Sequence, residues 1–115
     1  MKVLVIVNES PWGATLALTA QRLVCAMTSA GCSIDAVYFR GDGVYNAQTG
    51  RAVDAGTPDL AKTWTELSGK DNFPLLLCKS AATRRLDFDP GGGFREAGLA
   101  EILERVQACD RVVSF

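Results

Sequence analysis

The chain contains no histidine. That absence removes the usual general base of acyl-transfer and hydrolytic sites and a common zinc ligand. The four cysteines, Cys25, Cys32, Cys78 and Cys109, form no C-x-x-C pair and no clustered ligand spacing. Neither structural zinc nor histidine-assisted catalysis is expected, and no cofactor. Also missing is any apolar segment near the ~20 residues that cross a bilayer. The Val3–Val7 run is too short for a signal h-region and precedes no small-residue cleavage site. A cytoplasmic location follows as the expectation, with no membrane partner and with free thiols rather than structural disulfides. A net charge of −1 supplies no general electrostatic hold on nucleic acid, so no direct nucleic-acid contact is expected.

What is present suits a globular domain. At 115 residues the chain matches the size of one domain, 1–115, able to bury one real core. Hydrophobic residues make up 48% and charged residues 22%, which argues against disorder.

Lys2–Asn8 is a continuous β-branched and leucine run, the pattern of a strand buried on both faces, and is read as the central strand of a parallel sheet. Leu16, Ala20, Leu23, Val24 and Met27 then form one helical stripe, stopped by Gly31. Ile34–Phe39 reads as a second strand with Arg40-Gly41-Asp42-Gly43 as its exit turn, and Val44–Thr57 as a long loop. A helix follows from Pro58-Asp59, capped by Thr57, with Leu60, Trp64 and Leu67 inward and Ser68-Gly69 as its end. Next come a strand ending at Cys78, a short helix through Arg85, and a flexible loop at Pro90-Gly91-Gly92-Gly93. Phe94-Arg95 reads as a vestigial strand, Glu96–Ala108 as a helix with Leu99, Ile102, Leu103 and Val106 on one face, and Arg111–Phe115 as the last strand. Alternation of strands and helices specifies an α/β fold of three layers, α/β/α, around a mostly parallel sheet of four to five strands.

Cys78 ends an apolar strand and opens the small-residue stretch Lys79-Ser80-Ala81-Ala82-Thr83, closed by Arg84-Arg85. A thiol at a helix start meets unpaired backbone N–H groups that favour the reactive thiolate. The alternative is a small buried hydrophobe. Three loops should meet at the carboxyl edge of the sheet: Asn8–Gly13, Arg40–Asn46, and the helix after Cys78. Tyr45 and Asn46 either line the site or pack beneath it, and Arg84-Arg85 either place charge near the thiolate or cap helix carbonyls. The glycine turns match neither a P-loop nor a dinucleotide fingerprint. Cys25 is read as a helix contact or a surface thiol, and neither Cys32 nor Cys109 has a comparable environment.

These residues carry a resemblance. The Val3–Val7 strand, Val37-Tyr38-Phe39, Gly43-Val44-Tyr45-Asn46-Ala47, the segment Cys78 to Arg84-Arg85, and the closing Cys109-Asp110-Arg111-Val112-Val113-Ser114-Phe115 together resemble the DsrE family of sulfur-relay proteins. The resemblance implies five parallel strands in a three-layer sheet, and a homo- or heterohexamer of homologous subunits. It implies that Cys78 accepts a sulfane sulfur as a persulfide from a donor protein and hands it to an acceptor protein. The route is tRNA 2-thiouridine synthesis or dissimilatory sulfur metabolism. Tyr45, Asn46, Lys79, Arg84 and Arg85 become the candidate substrate-binding residues around Cys78. One departure from the resemblance is the segment from Arg85 to Gly93, shorter than in the tRNA-thiolating members, which leaves the cover over the cysteine and the choice of partner open. A relay needs an accessible thiolate and no histidine base when the local field lowers the thiol pKa, with helix-start amides expected to outweigh Lys79, Arg84 and Arg85. Two rivals are a non-catalytic assembly subunit with an idle Cys78 and, last, a flavodoxin-like phosphate-binding module.

Overall fold

A strand without polar alternation is stable only with cover on both faces, and the aliphatic runs of this chain receive it. The computed structural model describes residues 1–12, 15–48, 59–87, 89–90 and 92–115. In chain order the elements are β1 (Lys2–Val7), α1 (Leu16–Ser29), β2 (Ser33–Phe39), a 3-10 helix (Gly41–Ala47), α2 (Leu60–Asp71), β3 (Leu75–Cys78), α3 (Lys79–Arg85), β4 (Phe94–Ala97), α4 (Leu99–Ala108) and β5 (Arg111–Ser114). The strands form one five-stranded sheet in the order β4-β3-β2-β1-β5. Every neighbouring pair is parallel.

The two sheet faces are covered unequally. On one, Val3, Val5, Val7, Val37, Phe39, Leu75 and Leu77 pack beneath Ala17, Ala20 and Val24 of α1, Leu60 and Trp64 of α2, and Ala81 and Ala82 of α3. Trp64 anchors this layer, edge-on to Phe39 with ring centroids 5.3 Å apart. On the other face Leu4, Ala36, Tyr38, Leu76 and Ala97 meet a single buried helical residue, Ile102 of α4. An ion pair from Arg105 to Asp35 at 3.0 Å fixes α4 to β2 near the amino edge of the sheet.

Several expectations are corrected. β1 lies between β2 and β5, so β2 is the middle strand. The α1 stripe is rotated: Ala17, Ala20, Gln21 and Val24 face inward, while Leu16 and Leu23 are exposed, because small residues let the helix sit close to β1. The cap of α2 is Asp59, whose carboxylate accepts from the Lys62 N–H at 3.2 Å. Thr57, the expected cap, lies outside the described residues. The same helix runs through Ser68-Gly69 and ends where Asn72 turns left-handed at φ 57°, a conformation asparagine tolerates. Gly41–Ala47 is helical rather than a turn leading into a loop; the remainder of the expected loop, 49–57, is outside the described residues. Phe94–Ala97 is a full strand, with Glu96 and Ala97 paired to Leu77 and Cys78, so α4 starts only after Gly98. The loop expected at 90–93 falls partly on residue 91, also outside the described residues. Of the expected α4 face only Ile102 is buried, and Leu99 and Leu103 stand 70% and 54% exposed. No described helix is long and apolar enough to cross a membrane.

The 3-10 helix sits directly on the end of β1. A Cβ at Gly43 would lie 2.1 Å from the Val7 carbonyl oxygen, a contact only backbone movement can relieve. Gly43→Ala is expected to destabilise the fold by about 2–3 kcal/mol through overpacking. A lower urea midpoint at unchanged slope is the signature to measure.

Candidate functional site

β3 is short and interior, with Leu75, Leu76 and Leu77 all fully buried. Cys78 is its last residue, in register with Ala97 of β4 and capping α3 with φ −58° and ψ 117°. The turn from strand to helix lifts the thiol from the buried run, and Cys78 is half-buried, in contact with both hydrophobic clusters. Its sulfur opens into a pocket of about 580 Å³. Lys79, Ser80, Thr83 and Arg84 of α3 form one wall. Tyr38 and the β4–α4 junction, Ala97, Gly98 and Leu99, form the other.

Burial alone would raise the Cys78 thiol, but hydrogen bonds from the Ser80 and Tyr38 side chains and from the backbone N–H groups of Ala81 and Ser80 outweigh it and bring the pKa down to about 7. The Ser80 hydroxyl lies 3.5 Å from Sγ. The expected contribution of helix-start amides is therefore present, preceded by two neutral hydroxyls, and no cation figures among the causes. At neutral pH about half of the thiol is thiolate, close to the best compromise between ionisation and nucleophilicity. Cys109 behaves oppositely: burial and then Asp35 push it up, only partly offset by Lys2 and Arg105. Cys25 is exposed on α1, which settles it as a surface thiol.

Of the other candidate residues, Lys79 and Arg84 stand in the pocket wall with Cys78. Arg85 points elsewhere and pairs with Asp42 at 3.0 Å, tying α3 to the 3-10 helix. Tyr45 packs against Trp12 with the rings tilted by 39° and their centroids 5.4 Å apart. Asn46 is buried and structural: its amide donates to the Gly43 and Glu9 carbonyls at 2.9 and 3.1 Å and accepts a long 3.4 Å bond from Trp64. The three loops thus do meet at one edge, while Tyr45, Asn46 and Arg85 lie outside the pocket around the sulfur. The residues that sequence reasoning missed are Tyr38 and Ser80. Ser80 was findable as a hydroxyl two positions into a helix. Tyr38 was findable from strand alternation, which sets it on the face opposite Phe39.

The chain leaves β1 outward through β2, β3 and β4 and returns to place β5 beside β1, so its topological switch point lies between β1 and β5. There Asn8 bonds Ser114 Oγ at 2.8 Å and the Phe115 carbonyl at 3.0 Å, tying the two strand ends together. That crossing occupies the place where a doubly wound sheet would cradle a nucleotide phosphate.

The description of the DsrE/DsrF-like family matches residues 1–115, and the chain belongs to that family. It is 30% identical to the sulfurtransferase TusD of Cronobacter sakazakii and 29% identical to the sulfurtransferase TusD of Salmonella newport, with both chains covered in full in each case. Each alignment runs to 128 positions, so both relatives carry residues that this chain of 115 lacks. Among solved structures the ychN protein of E. coli superposes with a TM-score of 0.86 over 100% of this chain and 99% of its own, at 19% identity, a likeness of fold.

Because the Cys78 pKa is lowered to about 7, its alkylation should rise through about pH 7 and level off above it, and Ser80→Ala should move that midpoint upward. Iodoacetamide labelling followed by peptide mapping reads both. Lys79→Ala should leave the midpoint nearly in place, since an exposed charge is screened.

Proposed function

We propose that this chain is a sulfurtransferase of the relay type, acting as one DsrE-like domain over residues 1–115. Cys78 receives a sulfane sulfur from a donor protein, carries it as a persulfide, and yields it to an acceptor protein in the cytoplasm. The observation that carries the reading is a half-buried thiol, with its pKa lowered to about 7, opening into a walled pocket. Relatives covering the whole chain are named sulfurtransferases. Transfer asks for a thiolate that another sulfur can reach and for no water-activating base, which suits a chain without histidine. The destination proposed is tRNA 2-thiouridine synthesis or dissimilatory sulfur metabolism, as the resemblance of the sequence implies. Lys79 and Arg84 are the positions that would meet an anionic group on an incoming partner; Tyr45, Asn46 and Arg85 serve the loops behind.

The rival reading, an assembly subunit with an idle thiol, is not favoured. An idle core cysteine would follow Cys109, whose pKa burial raises, and Cys78 goes the other way.

Assembly with homologous subunits, as a homo- or heterohexamer, belongs to the same proposal. Leu99, Leu103 and Val106 leave α4 with an apolar outer face, and Val112 on the edge strand β5 is 42% exposed. Such a face on a small domain is normally covered by a partner.

Two measurements test these statements. Incubating the reduced protein with a sulfane donor should add about 32 Da, one sulfur atom, on the Cys78 peptide. Cys78→Ser should abolish the adduct while serine replacements of Cys25, Cys32 and Cys109 retain it; stoichiometric loading of Cys78→Ser would refute the assignment. Light scattering should give a mass several times that of the 12.3 kDa chain for a homo-oligomer, or the summed mass of this chain and its partner subunits when they are supplied. Leu103→Glu should lower that mass without unfolding the chain, because residue 103 is largely exposed.

A further inference from the structure

Sulfur transfer makes opposite demands on one atom. To load, the Cys78 thiolate attacks the outer sulfur of a donor persulfide; a new Sγ–S bond forms, the donor's S–S bond breaks, and the donor leaves as a thiolate. To unload, an acceptor thiolate attacks the outer sulfur held on Cys78. The Sγ–S bond then breaks, its electron pair stays on Sγ, and the outer sulfur departs on the acceptor with its proton. No oxidant or reductant is consumed in either direction. A hydrogen bond held on Sγ makes it a weaker nucleophile in the first step and a better leaving group in the second.

Tyr38 is built to supply that bond. It lies on the middle strand β2, on the sheet face covered by α4, clustered with Leu76, Ala97 and the partly buried Cys78. It is 6% exposed and lines the same pocket as Cys78 and Ser80. Its phenol lies on β2 in the same cluster and the same pocket as Cys78 and is among the groups that lower the thiol pKa, while the Ser80 hydroxyl, from α3, lies 3.5 Å from Sγ. Burial first, then the bond to Cys78 and its negative charge, drive the phenol pKa upward, with Arg40 pulling partly back. The hydroxyl therefore keeps its proton throughout the working range and acts toward the thiolate only as a donor. The charged groups nearby are Lys79 and Arg84 on the α3 wall and Arg40 after β2. β4 and α4 present only Ala97, Gly98 and Leu99 to the pocket.

We propose that Tyr38 is a catalytic residue of the unloading step: its phenol, together with the Ser80 hydroxyl, donates hydrogen bonds to Sγ as the Sγ–S bond breaks and stabilises the departing Cys78 thiolate. The inference rests on the relay reading and deepens it. A tyrosine on an interior strand is already ordered, so the bond is formed without fixing a mobile side chain. Neutral donors aimed at the atom where charge develops act without a reorganisation step. The consequence is directional. Tyr38 favours giving sulfur away over receiving it.

The test loads wild-type protein, Tyr38→Phe and Ser80→Ala with inorganic polysulfide, removes the excess, and follows single-turnover release of sulfur to dithiothreitol by intact mass. Tyr38→Phe is expected to release about three- to tenfold more slowly, the scale of losing one charge-assisted hydrogen bond to the leaving atom. Its Cys78 alkylation midpoint should rise by about one pH unit. Loading measured above that midpoint should be as fast as in wild type or faster. Ser80→Ala, altered at an exposed position, should move release and midpoint in the same directions. Equal release rates and midpoints in wild type and Tyr38→Phe overturn the inference while leaving the relay reading intact. A wild-type chain that takes no sulfur onto Cys78 overturns the relay reading, and this inference with it.

Discussion

Everything about the site depends on the strands all running one way. In a parallel sheet each strand delivers its last residue to the same edge, so the ends of β1, β2 and β3 and the segments that follow them are neighbours by construction. Arg85 of α3 can then reach Asp42, and Asn46 can reach Glu9, although the chain separates each pair widely. Had β3 run antiparallel, Cys78 would stand at the opposite edge, away from α3's partners. The strand that carries the thiol is also among the most buried parts of the molecule, and that rigidity holds Sγ where the hydroxyls can meet it.

The second constraint is asymmetry of cover. α1, α2 and α3 pack one face around Trp64, while α4 covers the other with Ile102 and an ion pair to Asp35. A sheet buried on both faces needs two full layers, and on this face, among the described residues, α4 leaves the region beside Tyr38, Ala97 and Leu99 open as the pocket. The same shortage leaves the outer side of α4 apolar. The entrance to the sulfur and the uncovered helix adjoin at Leu99, which lines the pocket and is 70% exposed. A partner seated on α4 would therefore shape the mouth of the site as well as cover the helix.

How far the sequence disclosed this varies element by element, for physical reasons. Uninterrupted aliphatic runs identified β1, β2 and β3, since such runs have no other stable home than a covered sheet. Cys78 was legible because an abrupt change from apolar strand to small residues marks a strand end. Rank within the sheet was not legible: a buried strand one place from the edge has the same composition as a central one, and β1 was misplaced for that reason. Helix stripes misled where the layer opposite was absent or tightly spaced. Leu103 and Val106 have the spacing of a core face, and only the tertiary arrangement shows that, among the described residues, both are exposed. The 3-10 helix was hidden by glycines that read as a turn, although Gly43 is required there by the close approach of Val7. Tyr45 and Asn46 drew notice by nearness in the chain to the site edge. Asn46 proves to hold loops together, and Tyr38, within the strand, faces the sulfur.

The means of activating the thiol fits the task better than the charges first considered. An ammonium or guanidinium beside Sγ would stabilise the thiolate, but it would also be screened by salt and would attract any anionic partner to itself. Hydroxyl and amide donors bring the pKa to about 7 with short-range, directed bonds. In the proposed relay they would act on Sγ both as a free thiolate and as the inner sulfur of a persulfide, because their positions come from β2 and α3 and not from the ligand. Lys79 and Arg84 are thereby left available at the rim. In the proposed relay, recognition of a partner would fall to these rim residues and tuning of the sulfur to the hydroxyls and amides, so one could vary without detuning the other.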